Sequence, residues 1–219
     1  MAEFELPDPK LILKPRFRGV SHKVAFFVAL VAGTGLVAAA PAGSRLPIAI
    51  YSLSLVAMFG ASALYHRGKW NEKQLPWFRR LDHSMIFVLI AGTYTPFATL
   101  VLNGTIADVI LAVVWGGALA GIIVTMFWVD APTWITAIIY VVLGWISVIM
   151  LPALVDSSGW GAVVLLGAGG VLYTLGAVVY ATHRPDPVPH VFGYHEVFHV
   201  FVIAAAAVQF IAVAIYAIN

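Results

Sequence analysis

Hydrophobic residues in this chain fall into seven long runs, with polar residues gathered between them. The runs cover roughly residues 23–43, 47–66, 80–102, 106–128, 132–153, 160–181 and 195–217. Each approaches the ~20 mostly apolar residues that a helix needs to cross a bilayer core. None alternates with the period of two expected of a barrel strand, and lipid admits only helices or closed barrels. The pattern predicts an all-α membrane protein, a seven-transmembrane helix bundle in which short connections make successive helices antiparallel neighbours. Only 1–22 and 182–194 are long enough to stand apart. The chain therefore divides into a basic N-terminal arm, 1–22, and a single seven-helix domain, 23–219.

Composition agrees. Of 219 residues, 62% are hydrophobic and 10% charged, where a soluble domain carries about 25% charged residues. The net charge of +2 is too small and too localised to argue for nucleic acid as a partner. There are no cysteines, which excludes disulfides, thiolate-bound metals and a cysteine nucleophile, and leaves only nitrogen and oxygen ligands for any metal. Ala38-Ala39-Ala40 resembles a cleavage site, but six further apolar runs follow the first, so that run is read as a first span.

Positive charge sets the expected orientation. Lys10, Lys14, Arg16, Arg18 and Lys23 lead into span one, Arg67, Lys69, Lys73, Arg79 and Arg80 follow span two, and Arg184 follows span six. These segments share one side of an odd-spanning chain, and the other side holds only Arg45. The N-terminus is expected in the cytoplasm and Asn219 outside. The segment Leu11–Arg18 mixes apolar and basic residues, suiting either an anionic leaflet or a solvated tail that only sets topology.

Four polar residues stand at the cytoplasmic ends of apolar runs: His66 ends span two, Asp82 begins span three, and His195 and His199 open span seven. Ionisable groups inside a membrane span are costly and point to function. The i, i+4 spacing of His195 and His199 places both imidazoles on one helix face. Independent segments thus bring three imidazoles and a carboxylate to one layer. Three His with an open position is the catalytic form of a zinc site. Ser62, one turn before His66, shares its face or else bonds back to its own helix. Asp82 has an alternative partner in Arg79 or Arg80, and His83 an alternative claim on the site from about 100° around the helix. His22, His183 and His190 read as interfacial side chains.

His195-Glu196-Val197-Phe198-His199 also spells the zincin signature, with Glu as general base. Glu196 lies off the two-His face, placed to act as base or to face water. The remainder of span seven holds no His, Asp or Glu as a third ligand, which disfavours a protease. In span three, Gly92-Thr93-Tyr94-Thr95-Pro96 predicts a kink at Pro96, with Thr93 and Thr95 satisfying the freed groups. The glycines at 167, 169, 170 and 176 read as a close packing face, or alternatively as the lining of a cavity.

With Gly19-Val20-Ser21-His22, Ser62-Ala63-Leu64-Tyr65-His66, Leu81-Asp82-His83-Ser84, Leu89 to Pro96 and His195 to Phe201 in order, nearly the whole chain resembles the hemolysin III family. That family is the bacterial branch of the progestin and adiponectin Q receptor superfamily. The resemblance implies a multi-pass protein of the bacterial inner (plasma) membrane with seven helices and a cytoplasmic-side zinc. It implies His66, His195 and His199 as zinc ligands, Asp82 as a water-holding carboxylate, and Ser62 as the Ser of a Ser-x-x-x-His pattern. The superfamily includes alkaline ceramidases, zinc-dependent lipid amidases.

The expected function is therefore hydrolysis of a lipid amide or ester in membrane lipid homeostasis, with Asp82 and Ser62 as catalytic residues and membrane lipids as partners. The alternative is non-enzymatic: a sensor of lipid or membrane state, or a pore-forming cytolytic protein, with a structural zinc. Proton-driven transport ranks last, because it needs ionisable groups at the membrane middle.

Overall fold

The computed structural model describes residues 15–218, so Leu11–Lys14 of the arm lie outside the described residues. Apolar composition and turn residues together account for its helices. α1 (Val20–Ala39) starts after Gly19, whose φ of 74° is a left-handed value that glycine tolerates, and ends before Pro41. α2 (Arg45–Arg67) follows a single 3-10 turn. α3 (Leu75–Pro96) carries a proline in its first turn. α4 (Thr105–Phe127) begins after Gly104, also at positive φ. α5 (Thr133–Gly144) leads through a 3-10 segment, Trp145–Met150, into α6 (Leu151–Thr182), and α7 (Tyr194–Tyr216) is the last helix described. Among the described residues there is no strand beyond an isolated bridge between Val188 and Phe192.

Six helical stretches are long and apolar enough to cross a membrane, and one of them, Thr133–Thr182, contains both the fifth and the sixth predicted runs. The expected loop at 154–159 is instead helical up to Gly159, where φ 74° and ψ 179° break the helix. Only glycine adopts that conformation without strain. The Trp145 indole N–H donates to Thr174 Oγ1 across 2.9 Å. These residues lie almost equally far along the chain on either side of Gly159, so the stretch folds back on itself there.

Successive helices α1 to α4 pack against their neighbours, α7 packs on α6, and a narrower α1–α7 contact brings the first and last helices together. α3 is the most deeply buried. Outward positions such as Val31, Leu53, Trp160 and Val164 are exposed and apolar, as a hydrocarbon surrounding requires. At Gly169 an added Cβ would lie 2.5 Å from Gln209 Nε2, and at Gly176 one would lie 3.1 Å from Phe201 Cβ. Those two glycines form the close α6–α7 face, whereas Gly170 lines a cavity. Both readings of the glycine cluster thus apply, to different residues.

The kink at Pro96 takes the form of a π-helical turn, Phe97–Val101. The two threonines do not serve the carbonyl that Pro96 leaves free. Thr93 Oγ1 donates to the Leu89 carbonyl at 2.8 Å and Thr95 Oγ1 to that of Ala91 at 2.9 Å. A hydroxyl reaches the carbonyl one turn behind itself most readily, which explains the departure.

Candidate metal centre

The end of α2, the start of α3 and the first turns of α7 converge as the sequence leads one to expect. His66, His195 and His199 each offer a nitrogen within 4.8 Å of the others, a group able to hold a metal ion. His66 Nε2 and His195 Nε2 stand 3.1 Å apart. A tetrahedral ion with bonds of about 2.0–2.1 Å to nitrogen separates its ligands by about 3.3 Å. That match, and a His199 Nδ1 buried without a hydrogen-bond partner, fit a metal bound by three imidazoles. Asp82 Oδ2 lies 3.8 Å from His66 Nε2, beside the imidazole group.

The competing partners of Asp82 are engaged elsewhere. Arg79 reaches across to Asp130 at 2.6 Å, while Arg80 donates to the Met126 carbonyl at 3.0 Å and lies over the Trp77 ring. His83 stays beside the site, its Nδ1 3.9 Å from Asp82 Oδ2 and its ring on the cavity wall, but both ring nitrogens have other partners. Its Nδ1 lies 2.8 Å from the Arg79 carbonyl, which can only accept, so Nδ1 carries the proton. Its Nε2 then accepts from the Tyr180 hydroxyl at 3.4 Å. His183 and His190 are exposed, as interfacial residues should be.

Two expectations need correction. His22 is no interfacial side chain: it is 2% exposed and its ring stacks on His199 with centroids 3.7 Å apart and planes within 8°. Its Nδ1 is 2.8 Å from Ser62 Oγ, so the Ser62 hydroxyl is tied to another helix rather than bonded back to its own. The signal available in the sequence was Gly19, which turns the chain closely against His66 and so delivers His22 to the site.

Glu196 neither faces water nor stands free as a base. It is 1% exposed, its Oε1 pairs with Arg18 Nε at 2.5 Å, and its Oε2 accepts the Gly193 N–H at 2.8 Å. The second contact is half of a capping box at the start of α7. The arm before α1 is docked as well, since the Arg16 and Phe17 N–H groups donate to the carbonyls of His190 and Val191. Oε2 of Glu196 thus caps α7, while Oε1 ties that helix, and with it His195 and His199, to the chain leading into α1.

A cavity of about 160 Å³ opens from the imidazoles into the bundle. His22, Ser62, Asp82 and His195 line its head, and Trp145, Phe97 and Gln209 line its far end. His195 and Gln209 are fourteen residues apart on α7, so the slot runs about 20 Å at the helical rise. Its walls are mainly aliphatic and aromatic between these ends.

Comparison with known proteins points to one family. The family model described as "Haemolysin-III related" matches residues 11–210. The chain is 33% identical to a hemolysin-3 homolog of Bacillus subtilis over 170 residues, covering 78% of this chain and 76% of that one. It is 32% identical to hemolysin-3 of Bacillus cereus, covering 76% and 73%. A human protein, monocyte to macrophage differentiation factor, is 26% identical over 75% of this chain and 67% of its own. No solved structure matches significantly. Match length and helical architecture together place this multi-pass membrane protein in the haemolysin-III family.

Proposed function

We propose that the protein is a zinc-dependent hydrolase of a lipid amide or ester, of the ceramidase kind, working in membrane lipid homeostasis. In this reading the chain crosses the bacterial inner membrane seven times, reversing at Gly159, with its N-terminus in the cytoplasm and its C-terminus outside. The placement of Lys and Arg supports that orientation. The observation that carries the function is three imidazoles with a carboxylate 3.8 Å away, all at the head of a long apolar slot.

His66, His195 and His199 would hold the zinc, which supplies Lewis acidity and lowers the pKa of water toward 7. Asp82 Oδ2 accepts the proton of the attacking water and later returns it to the leaving nitrogen or oxygen. His22 Nδ1 lies 2.8 Å from Ser62 Oγ and the Ser62 hydroxyl is turned to Asp82, so Ser62 would hold that carboxylate at rest and turn its proton to the carbonyl oxygen as negative charge develops. The acyl chain lies along the slot, where apolar walls exclude water. With both its oxygens engaged, Glu196 has no part in the chemistry, which weakens a zincin-type protease further.

A second reading is a closed structural zinc with Asp82 as fourth ligand, in a lipid sensor or a cytolytic protein. The nearness of Asp82 favours the closed site, and the name hemolysin-3 carried by the Bacillus cereus relative favours lysis. Zinc content separates the two, measured on detergent-purified wild type, His195→Ala and Asp82→Ala. The hydrolase retains near-stoichiometric zinc in Asp82→Ala but loses it in His195→Ala, and Asp82→Ala is inactive in lipid amide and ester assays. Loss of zinc from both variants supports the closed site. Absence of zinc from wild type overturns both readings.

A further inference from the structure

The far end of the slot holds two hydrogen-bonding groups that nothing among the described residues satisfies. Gln209 on α7 is 7% exposed, and its Nε2 donates to the Leu166 carbonyl at 3.2 Å. Its Oε1 is buried with no hydrogen-bond partner, as is the hydroxyl of Tyr173 on α6. Both residues line the cavity. Leu166, Gly169, Gly170 and Tyr173 follow one another at helical spacing on one face of α6. Side chains on a helix lean toward its N-terminus, so the Tyr173 ring is carried back over the two glycines toward Gln209. Gly169 leaves the room in which the Gln209 amide lies, since a Cβ there would overlap it.

An acceptor and a donor left open in the hydrocarbon layer are costly, because no bulk water reaches them. A plain alkyl chain in the slot satisfies neither. A hydroxyl satisfies both, donating to Gln209 Oε1 and accepting from Tyr173.

We propose that Gln209 and Tyr173 form a second polar subsite, and that the slot accepts a long-chain lipid bearing a hydroxyl part-way along its chain. The subsite lies about 15 Å from His199, the rise of the ten residues that separate it from Gln209 on α7. The inference rests on reading the slot as the seat of an acyl chain.

The test is equilibrium binding of radiolabelled fatty acids to the full, detergent-purified protein. The probes are stearic acid and hydroxystearic acids with the hydroxyl near the carboxylate, at mid-chain or near the tail. The mid-chain isomer should bind wild type roughly tenfold more tightly than stearic acid, the gain expected of two buried hydrogen bonds. Gln209→Leu and Tyr173→Phe should each reduce that preference while still binding stearic acid, with melting temperatures confirming that both fold. Equal binding of stearic acid and the mid-chain isomer by wild type overturns the subsite alone, as does a preference that survives both substitutions. If wild type binds none of the acids, the acyl-chain reading of the slot falls and the subsite falls with it.

Discussion

The Arg18–Glu196 pair offers a test of what holds the three-histidine cluster together, because its two halves differ in exposure. Replacing Arg18 with Met strands a carboxylate that is 1% exposed, with only the Gly193 N–H left to it. Removing one partner of a buried pair costs about 3–5 kcal/mol. Replacing Glu196 with Gln instead leaves a guanidinium that is 19% exposed. That group can turn its head to water along its flexible stem, and Gln can still accept from Gly193 as in other capping boxes. The expected cost is about 1.5 kcal/mol, the low end for a hydrogen bond to a charged group, because the guanidinium regains water. Arg18→Met combined with Glu196→Gln should be milder than Arg18→Met alone, since no buried charge remains. Thermal unfolding in a mild detergent reads all three. In a domain of this size each kcal/mol moves the melting temperature by roughly 2–4 °C, so Arg18→Met should fall on the order of 10 °C and Glu196→Gln only a few degrees. Zinc content and any hydrolytic activity of Glu196→Gln should survive below its melting temperature. Equal losses in the two single variants, or additive losses in the double, would refute the buried-charge argument. Inactivity of a stable, zinc-loaded Glu196→Gln would restore Glu196 as a base.

Two further expectations follow. His22→Phe preserves a ring for stacking on His199 but loses the bond to Ser62. It should retain zinc against chelator competition while turnover drops roughly 10–100-fold, the usual range for a residue that orients a reacting group, and His22→Ala should weaken zinc binding as well. Asp130→Asn removes the partner of Arg79 where the aspartate is 81% exposed, so its melting temperature should change little and the small effect should vanish in high salt.

How far the sequence could be read depended on whether a residue's environment is local. His195 and His199 were legible because one helix turn relates them, and His66 and Asp82 because hydropathy alone places them at the ends of spans. The helical class was legible for the same reason. His22 and Glu196 were misread because their partners are remote: Ser62 is 40 residues from His22, and Arg18 is 178 from Glu196. No periodicity encodes such pairings. In the stretch from Thr133 to Thr182 only the connection between the two runs differs. Hydropathy marks where the apolar runs end but not the backbone between them, and there the chain remains helical to a single glycine, Gly159.

The stitching of the arm to the last helix has a consequence for biosynthesis. At ~5–20 residues per second, the 178 residues between Arg18 and Glu196 mean that the arm waits roughly 10–40 s for its partner. During that interval the nascent chain owns one imidazole of the three that together could hold a metal ion. The three-imidazole group is complete only with insertion of α7, so a chain stalled or cleaved before that helix displays an unpaired arginine and one imidazole of the three. Membrane quality control has a physical mark there by which to tell an unfinished copy from a finished one.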